Sequence, residues 1–287
     1  MTPTTLLILA AWAREESQPA YIVNGKEERG YPSAVAIGFE SGGFRQSTCS
    51  ASFITPRILL TAGHCLAELP IPEDVFVTAG AAFLGPDVRT ARTVKFESLH
   101  VHPRYQSMSG STGMPKNDYA VIVLDEDVTD IRPVWFNTQD LGEAAIGQRL
   151  VSVGYGVTDG ATQQGGGTKR SARIVVNSVD DQFLVSLSAE NPGNGNVCSG
   201  DSGGPQYYED ENGDLIQWSV HSWADQYCRF MSGSSRTEEA AGFILGHVER
   251  VHGTTDFCAL TLRYGDGTCD PGCAVVDPDC AAPTLDP

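Results

Sequence analysis

The stretch Cys198-Ser199-Gly200-Asp201-Ser202-Gly203-Gly204-Pro205 sets a serine hydroxyl beside an aspartate inside a run of glycines. Glycine lets a backbone take positive φ and bring its N–H groups close to a reacting atom. A serine in such a turn can attack a carbonyl while neighbouring N–H groups hold the oxyanion. Taken alone, the stretch reads equally well as a surface turn, because Gly, Ser, Asp and Pro are ordinary turn residues. Two upstream segments weigh against that. Thr61-Ala62-Gly63-His64-Cys65 supplies an imidazole, and Asn117-Asp118 supplies a carboxylate at the head of the apolar run Tyr119 to Leu124. A serine alcohol is a weak nucleophile until a base takes its proton. Imidazole is the usual base, and a buried carboxylate fixes its tautomer and steadies the imidazolium.

The order His64, Asp118, Ser202 is that of the chymotrypsin arrangement; subtilisin-type enzymes and α/β-hydrolases run differently. The chain resembles the trypsin/chymotrypsin family of serine endopeptidases, and the resemblance spans about residues 22 to 250. Ile22-Val23-Asn24-Gly25 is similar to the family's mature N-terminus. His102-Pro103-Arg104-Tyr105 resembles the segment that precedes its aspartate. Val151 to Gly156 resembles a family strand, with Tyr155 where many members have Trp, and Ser222-Trp223 resembles the edge of its substrate cleft.

The resemblance implies roles for individual residues. His64 acts as general base and then general acid, Asp118 orients it, and Ser202 is the nucleophile. Gly200 and Ser202 give the backbone N–H groups of the oxyanion hole. Asp201 pairs with the amine that cleavage after Tyr21 would create on Ile22. Because Tyr21 is neither Arg nor Lys, the activator is a protease with another preference, or the chain itself. Asn196 falls at the base of the specificity pocket, with Ser222, Trp223 and Ala224 along its edge. Trypsin-like members carry Asp at the base, so Asn196 points to a neutral side chain at the cleaved position. Glu238 and Glu239 are alternative sources of negative charge there. Ser222 resembles a residue that hydrogen-bonds the triad carboxylate. His100, His102, His221, His247 and His252 match no catalytic position and read as structural or exposed.

Composition bounds the rest. With 36 acidic and 19 basic residues among 287, the net charge is −17. That excludes the basic footprint of a nucleic-acid binder and adsorption to an anionic membrane. The apolar run 4–13 is too short to span a bilayer. It resembles the core of a secretory signal without a basic n-region, with Ala11-Trp12-Ala13 as a small-x-small cleavage site. Eight cysteines suit an oxidising compartment. The resemblance pairs Cys49 with Cys65 and Cys198 with Cys228. Each bridge is worth roughly 3 kcal/mol through loop closure and holds a catalytic segment in place.

Short strand-like runs at 33–39, 75–79, 94–101, 120–124, 150–154, 172–177 and 216–222 alternate or are rich in β-branched residues, with Gly/Pro/Asp clusters between them. No helical period stands out before residue 240, which implies an all-β chain of antiparallel barrels or sandwiches. The resemblance sharpens this to two six-stranded antiparallel β-barrels with the active site between them. His64 and Asp118 would come from the first barrel and Ser202 from the second. The segments 106–116 and 158–171 read as solvated linkers. Gly253 and two threonines make residues 246–257 a poor helix, so a short or irregular one is expected. After Cys258 the texture changes to a Cys/Asp-rich tail resembling one seen in some secreted bacterial proteins. Too few apolar residues remain there for a core, so cross-links must hold it. Cys258, Cys269, Cys273 and Cys280 lack paired C-x-x-C knuckles, which favours disulfides over zinc. Asp266, Asp270, Asp277 and Asp279 offer the oxygen ligands that calcium takes, although solvating a disulfide knot is the preferred reading.

These readings divide the chain into a signal and activation segment (1–21), a protease domain (22–257) and a disulfide tail (258–287). The function they imply is a secreted or cell-surface serine endopeptidase made as a zymogen. It acts on protein or peptide substrates through an acyl-enzyme, as a monomer and without a required cofactor. The alternative is a non-catalytic binding protein on the same fold.

Overall fold

The computed structural model describes residues 22, 25–41, 44–67, 75–80, 88–93, 98–108, 113–188, 195–211, 213–270 and 272–280. The leader 1–21, residues 94–97 of one expected strand and residues 109–112 of one expected linker lie outside the described residues.

A two-residue strand, β1 (Lys26–Glu27), precedes a seven-stranded sheet. Its members are β2 (Ala34–Ser41), β3 (Phe44–Phe53), β4 (Ile58–Thr61), β5 (Val75–Gly80), β6 (Val88–Thr93), β7 (Leu99–Val101) and β8 (Ala120–Val123), in the order β6-β5-β2-β3-β4-β8-β7. The second sheet is built from β9 (Arg149–Gly154), β10 (Arg170–Val175), β11 (Ser178–Val179), β12 (Phe183–Leu187), β13 (Pro205–Glu209), β14 (Leu215–Ala224) and β15 (Met231–Arg236). With β1 it runs β1-β10-β9-β13-β14-β15-β12-β11. Every pairing in both sheets is antiparallel. This is the all-β architecture of two antiparallel systems that the resemblance implies.

The apolar strands pin the catalytic segments. β4 is buried along its whole length and pairs with β8 at Leu59↔Ile122 and Leu60↔Val121. Both strands therefore read as continuous apolar runs, as strands covered on both faces do. β4 ends where the five-residue helix α1 (Gly63–Ala67) begins, and β8 begins just after Asp118. Their pairing thus brings His64 and Asp118 to one end of one strand pair.

The C-terminal helix differs from expectation. α2 runs for twelve residues, Ala241–His252, and buries Ile244 and Val248, four apart on one face, in the main core. Gly253 takes a left-handed φ of 68° and donates its N–H to the Glu249 carbonyl. The glycine that lowers helix propensity is the residue that ends the helix, and the threonines lie beyond it.

The tail is docked on the body. α3 (Phe257–Leu260) is capped by Asp256, which accepts from the Cys258 and Ala259 amides, and Leu260 enters the main core. The expected boundary after residue 257 falls inside this turn. Disulfides join Cys258 to Cys273 and Cys269 to Cys280. Arg132 pairs with Asp266, and Arg263 lies 3.4 Å from Asp214. The tail carboxylates meet protein donors: Asp277 accepts the Asp270 and Asp279 amides, Asp279 the Gly267 amide, and Asp270 pairs with Arg263.

Candidate active site

Asp118 organises one side of the site. It is buried, and its two oxygens accept three bonds: from the His64 backbone N–H (2.8 Å), from His64 Nδ1 (2.8 Å) and from Ser222 Oγ (2.6 Å). A carboxylate on Nδ1 places the ring proton there and leaves Nε2 as the acceptor, the form a general base needs. Asn117, at φ 47°, makes the turn that presents Asp118, and Tyr119 ties the segment across to β15 by donating to the Arg236 carbonyl.

The serine side is a turn held from behind. Gly200 has φ 93°, a conformation that L side chains rarely adopt. Cys198 is bonded to Cys228, and Cys49 to Cys65. Asp201 is fully buried and accepts the Gly156 (2.7 Å) and Cys198 (2.8 Å) amides. Burial pushes its carboxyl up from 3.8 to about 7, against the lowering pull of those two amides and Arg170. Among the described residues, neither the Gly200 nor the Ser202 amide donates to a protein acceptor.

Ser50 joins the two sides and carried no signal in the sequence. From β3 of the first sheet, its N–H donates to the Ser202 carbonyl (2.7 Å) and its hydroxyl to the Gly200 carbonyl (2.9 Å). The same hydroxyl accepts the Tyr155 amide (3.0 Å). The Cys65 sulfur lies 3.8 Å from His64 Nε2 and 3.6 Å from the Ser202 carbonyl oxygen. His64 and Ser202, 138 positions apart in sequence, therefore line a single cavity of about 380 Å³.

Ser222, Trp223 and Ala224 also line that cavity; Asn196 does not. Asn196 is buried, with its amide 3.4 Å from the Met231 carbonyl. Glu238 and Glu239 line it no more than Asn196 does, and Glu238 pairs with Arg236. The wall contains His221 instead, a residue with no family role in the sequence. His221 is buried, its Nδ1 is 3.1 Å from Ser234 Oγ, and its Nε2 has no partner. Burial pushes its pKa down to about 3, with the Pro205 carbonyl acting in the other direction. The remaining histidines sit elsewhere: His102 packs edge-on to Tyr119 and Phe243, and the His100 and His247 rings lie 4.4 Å apart. Ile22 is fully buried and here an internal residue of the chain. Among the described residues, the grouping with metal-ligand spacing is Cys49, His64 and Cys65. Both sulfurs are in a disulfide, so neither is a thiolate ligand.

Comparison with known proteins agrees with this geometry. The family model described as Trypsin matches residues 22–231. A chymotrypsin of Phaedon cochleariae is 30% identical over 220 residues, covering 72% of this chain and 75% of that protein. A CLIP domain-containing serine protease B10 of Anopheles gambiae is 29% identical over 223 residues, 66% of this chain and 60% of that one. A trypsin of Saccharopolyspora erythraea is 27% identical over 220 residues, 72% and 88% respectively.

Proposed function

Because this chain belongs to the trypsin family, we propose that it is a serine endopeptidase whose nucleophile is Ser202. His64 Nε2 takes the Ser202 proton as Oγ attacks the scissile carbonyl carbon. The carbonyl oxygen becomes an oxyanion facing the Gly200 and Ser202 N–H groups; one such donor is worth about 3 kcal/mol of barrier. The imidazolium returns its proton to the leaving amine as the C–N bond breaks, and the acyl group stays on Oγ. Water, activated by the same imidazole, then releases the acid and restores the serine. The observation that carries this reading is the Asp118 carboxylate, bonded to His64 Nδ1 and to Ser222 Oγ beside the cavity that Ser202 lines. No cofactor takes part in these steps.

Activation by cleavage before Ile22 belongs to the same proposal. Asp201 is an acid held entirely out of water with backbone amides as its hydrogen-bond donors. A buried amine would stabilise its charge, and a free Ile22 terminus is the source the sequence offers. N-terminal sequencing of active enzyme should begin at Ile22; any other start overturns this part. Four disulfides support an oxidising compartment, outside the cell or at its surface. No helix among the described residues is long and apolar enough to cross a membrane. The test of the chemistry is labelling by a fluorophosphonate. Mature protein should carry the label on Ser202, whereas folded, processed protein that stays unlabelled would be a binding protein on this fold.

A further inference from the structure

We propose that the Ser50 hydroxyl is a positioning group for the oxyanion hole. From the first sheet it fixes the backbone of Gly200, one of the two N–H donors, and so sets how firmly the developing charge is held. This rests on the peptidase reading above and adds a residue that the reading does not use.

The need for such a group comes from glycine itself. A glycine backbone rotates with little steric restraint, and Gly200 stands at φ 93°. Donors for an oxyanion act well when they are preorganised, so the peptide planes on either side of Gly200 have to be held from outside. Both are held. On the N-terminal side, the Ser199 carbonyl shares a peptide plane with the Gly200 N–H and accepts the Val157 N–H at 2.8 Å. On the C-terminal side, the Gly200 carbonyl accepts the Ser50 hydroxyl at 2.9 Å. The first restraint is backbone to backbone. The second depends on a side chain, and so on the identity of residue 50.

Ser50 is itself held still. A hydroxyl has one hydrogen to give and lone pairs to fill. Here the hydrogen goes to the Gly200 carbonyl and the Tyr155 N–H fills a lone pair at 3.0 Å, so the rotor is locked from both directions. The residue is fully buried. Its backbone is pinned as well: the carbonyl accepts the Thr61 hydroxyl at 2.8 Å, and the N–H donates to the Ser202 carbonyl at 2.7 Å. The nucleophile turn packs directly on it, since a Cβ on Gly203 would lie 2.4 Å from the Ser50 carbonyl oxygen. The peptide after Tyr155 carries the Gly156 N–H that Asp201 accepts. One hydroxyl therefore ties Gly200, Tyr155 and, through the adjoining peptide, the Asp201 segment to β3. Alanine at this position would leave the Gly200 carbonyl and the buried Tyr155 N–H without their partner, which is unfavourable. The freest residue of the turn would then lose its C-terminal restraint.

The experiment compares mature wild-type protein with Ser50→Ala, which keeps the N–H to Ser202 and removes the hydroxyl alone. Active sites are counted by fluorophosphonate titration carried to completion. On a peptide amide, kcat should fall at least tenfold with KM within twofold, because the charge to be held appears only in the transition state. The substrates that isolate the oxyanion are an ester and the matching thionoester, whose sulfur is a weaker hydrogen-bond acceptor than oxygen. The ester-to-thionoester ratio of kcat/KM should fall at least fivefold in Ser50→Ala. Partial misfolding or a displaced His64 lowers both rates together and leaves that ratio unchanged. If Ser50→Ala does not fold, Ser50→Gly removes the same hydroxyl and is read in the same way. A ratio that stays constant, or a loss confined to KM, overturns the inference and leaves the peptidase reading intact. Wild-type protein that neither titrates nor hydrolyses the ester overturns the reading on which the inference rests.

Discussion

Two neighbours on β14 meet different partners at the cleft. Both border the cavity: Ser222 donates to Asp118 at 2.6 Å, while the His221 ring is buried with its Nδ1 3.1 Å from Ser234 Oγ. On the catalytic side Asp118 holds three hydrogen bonds, from the His64 N–H, from His64 Nδ1 and from Ser222 Oγ. Behind the cavity wall, His221 Nε2 and Asn196 Oδ1 are buried and without hydrogen-bond partners among the described residues. The catalytic side is therefore preorganised for a charge that appears only during reaction.

The contrast can be broken from the catalytic side first. Ser202→Ala should lower kcat by about a million-fold for every peptide alike, because it removes chemistry and leaves the cavity wall in place. Substrate affinity measured on that variant should keep its order. Asp118→Asn should cost about ten-thousand-fold, since an amide can hold His64 in the wrong tautomer. The loss should again be the same for all side chains at the cleaved position. A loss that varied with the peptide would mean that the two sides are not separate.

A smaller effect concerns Asp201, buried behind both. Its carboxyl is pushed up from 3.8 to about 7, so the folded, uncleaved chain holds a proton that the unfolded chain releases between those values. The Asp201 contribution to stability falls as pH rises through that window, by an amount of order 4 kcal/mol, while His221 and His247, whose pKa values burial pushes down, contribute in the opposite direction. Urea unfolding of uncleaved Ser202→Ala protein at pH 5 and pH 8 reads the sum of these contributions, in which the Asp201 part is the fall with pH. Adding Asp201→Asn should remove most of it, and a slope unchanged by that substitution contradicts the account. Ser222→Ala is the mildest change. Losing one hydrogen bond to a carboxylate costs about 1.5–3 kcal/mol, or roughly tenfold to hundredfold in kcat, with the preference among peptides preserved.

The two sides also differ in how far the sequence reveals them. Catalytic geometry needs particular backbone: a left-handed Gly200, a turn at Asn117, an acid that heads a buried strand. Those demands leave contiguous signatures, so the segments around His64, Asp118 and Ser202 stand out before any coordinates. The strands that carry them are legible too, because β4 and β8 are apolar along nearly their whole length. Other elements hide. β15 reads Met-Ser-Gly-Ser-Ser-Arg, and half of β3 is Ser, Thr and Gln. They are strands because their neighbours pair with them, not through hydrophobic pattern. His221 depends on a register shift, Ser234 on the β14–β15 pairing, and Ser50 on the meeting of two sheets. None of these leaves a local motif. Gly253 misleads in the opposite way, since a helix-ending glycine and a helix-breaking one look alike in a string of letters.

The central claim is that peptide-bond hydrolysis passes through an acyl group on Ser202. Active enzyme turning over an activated ester can be quenched in acid within milliseconds and digested for peptide mapping by mass spectrometry. The acyl mass should appear on the peptide carrying Ser202 and should be absent after Ser202→Ala. Turnover with the acyl group on another residue, or turnover that survives in Ser202→Ala, would contradict the account.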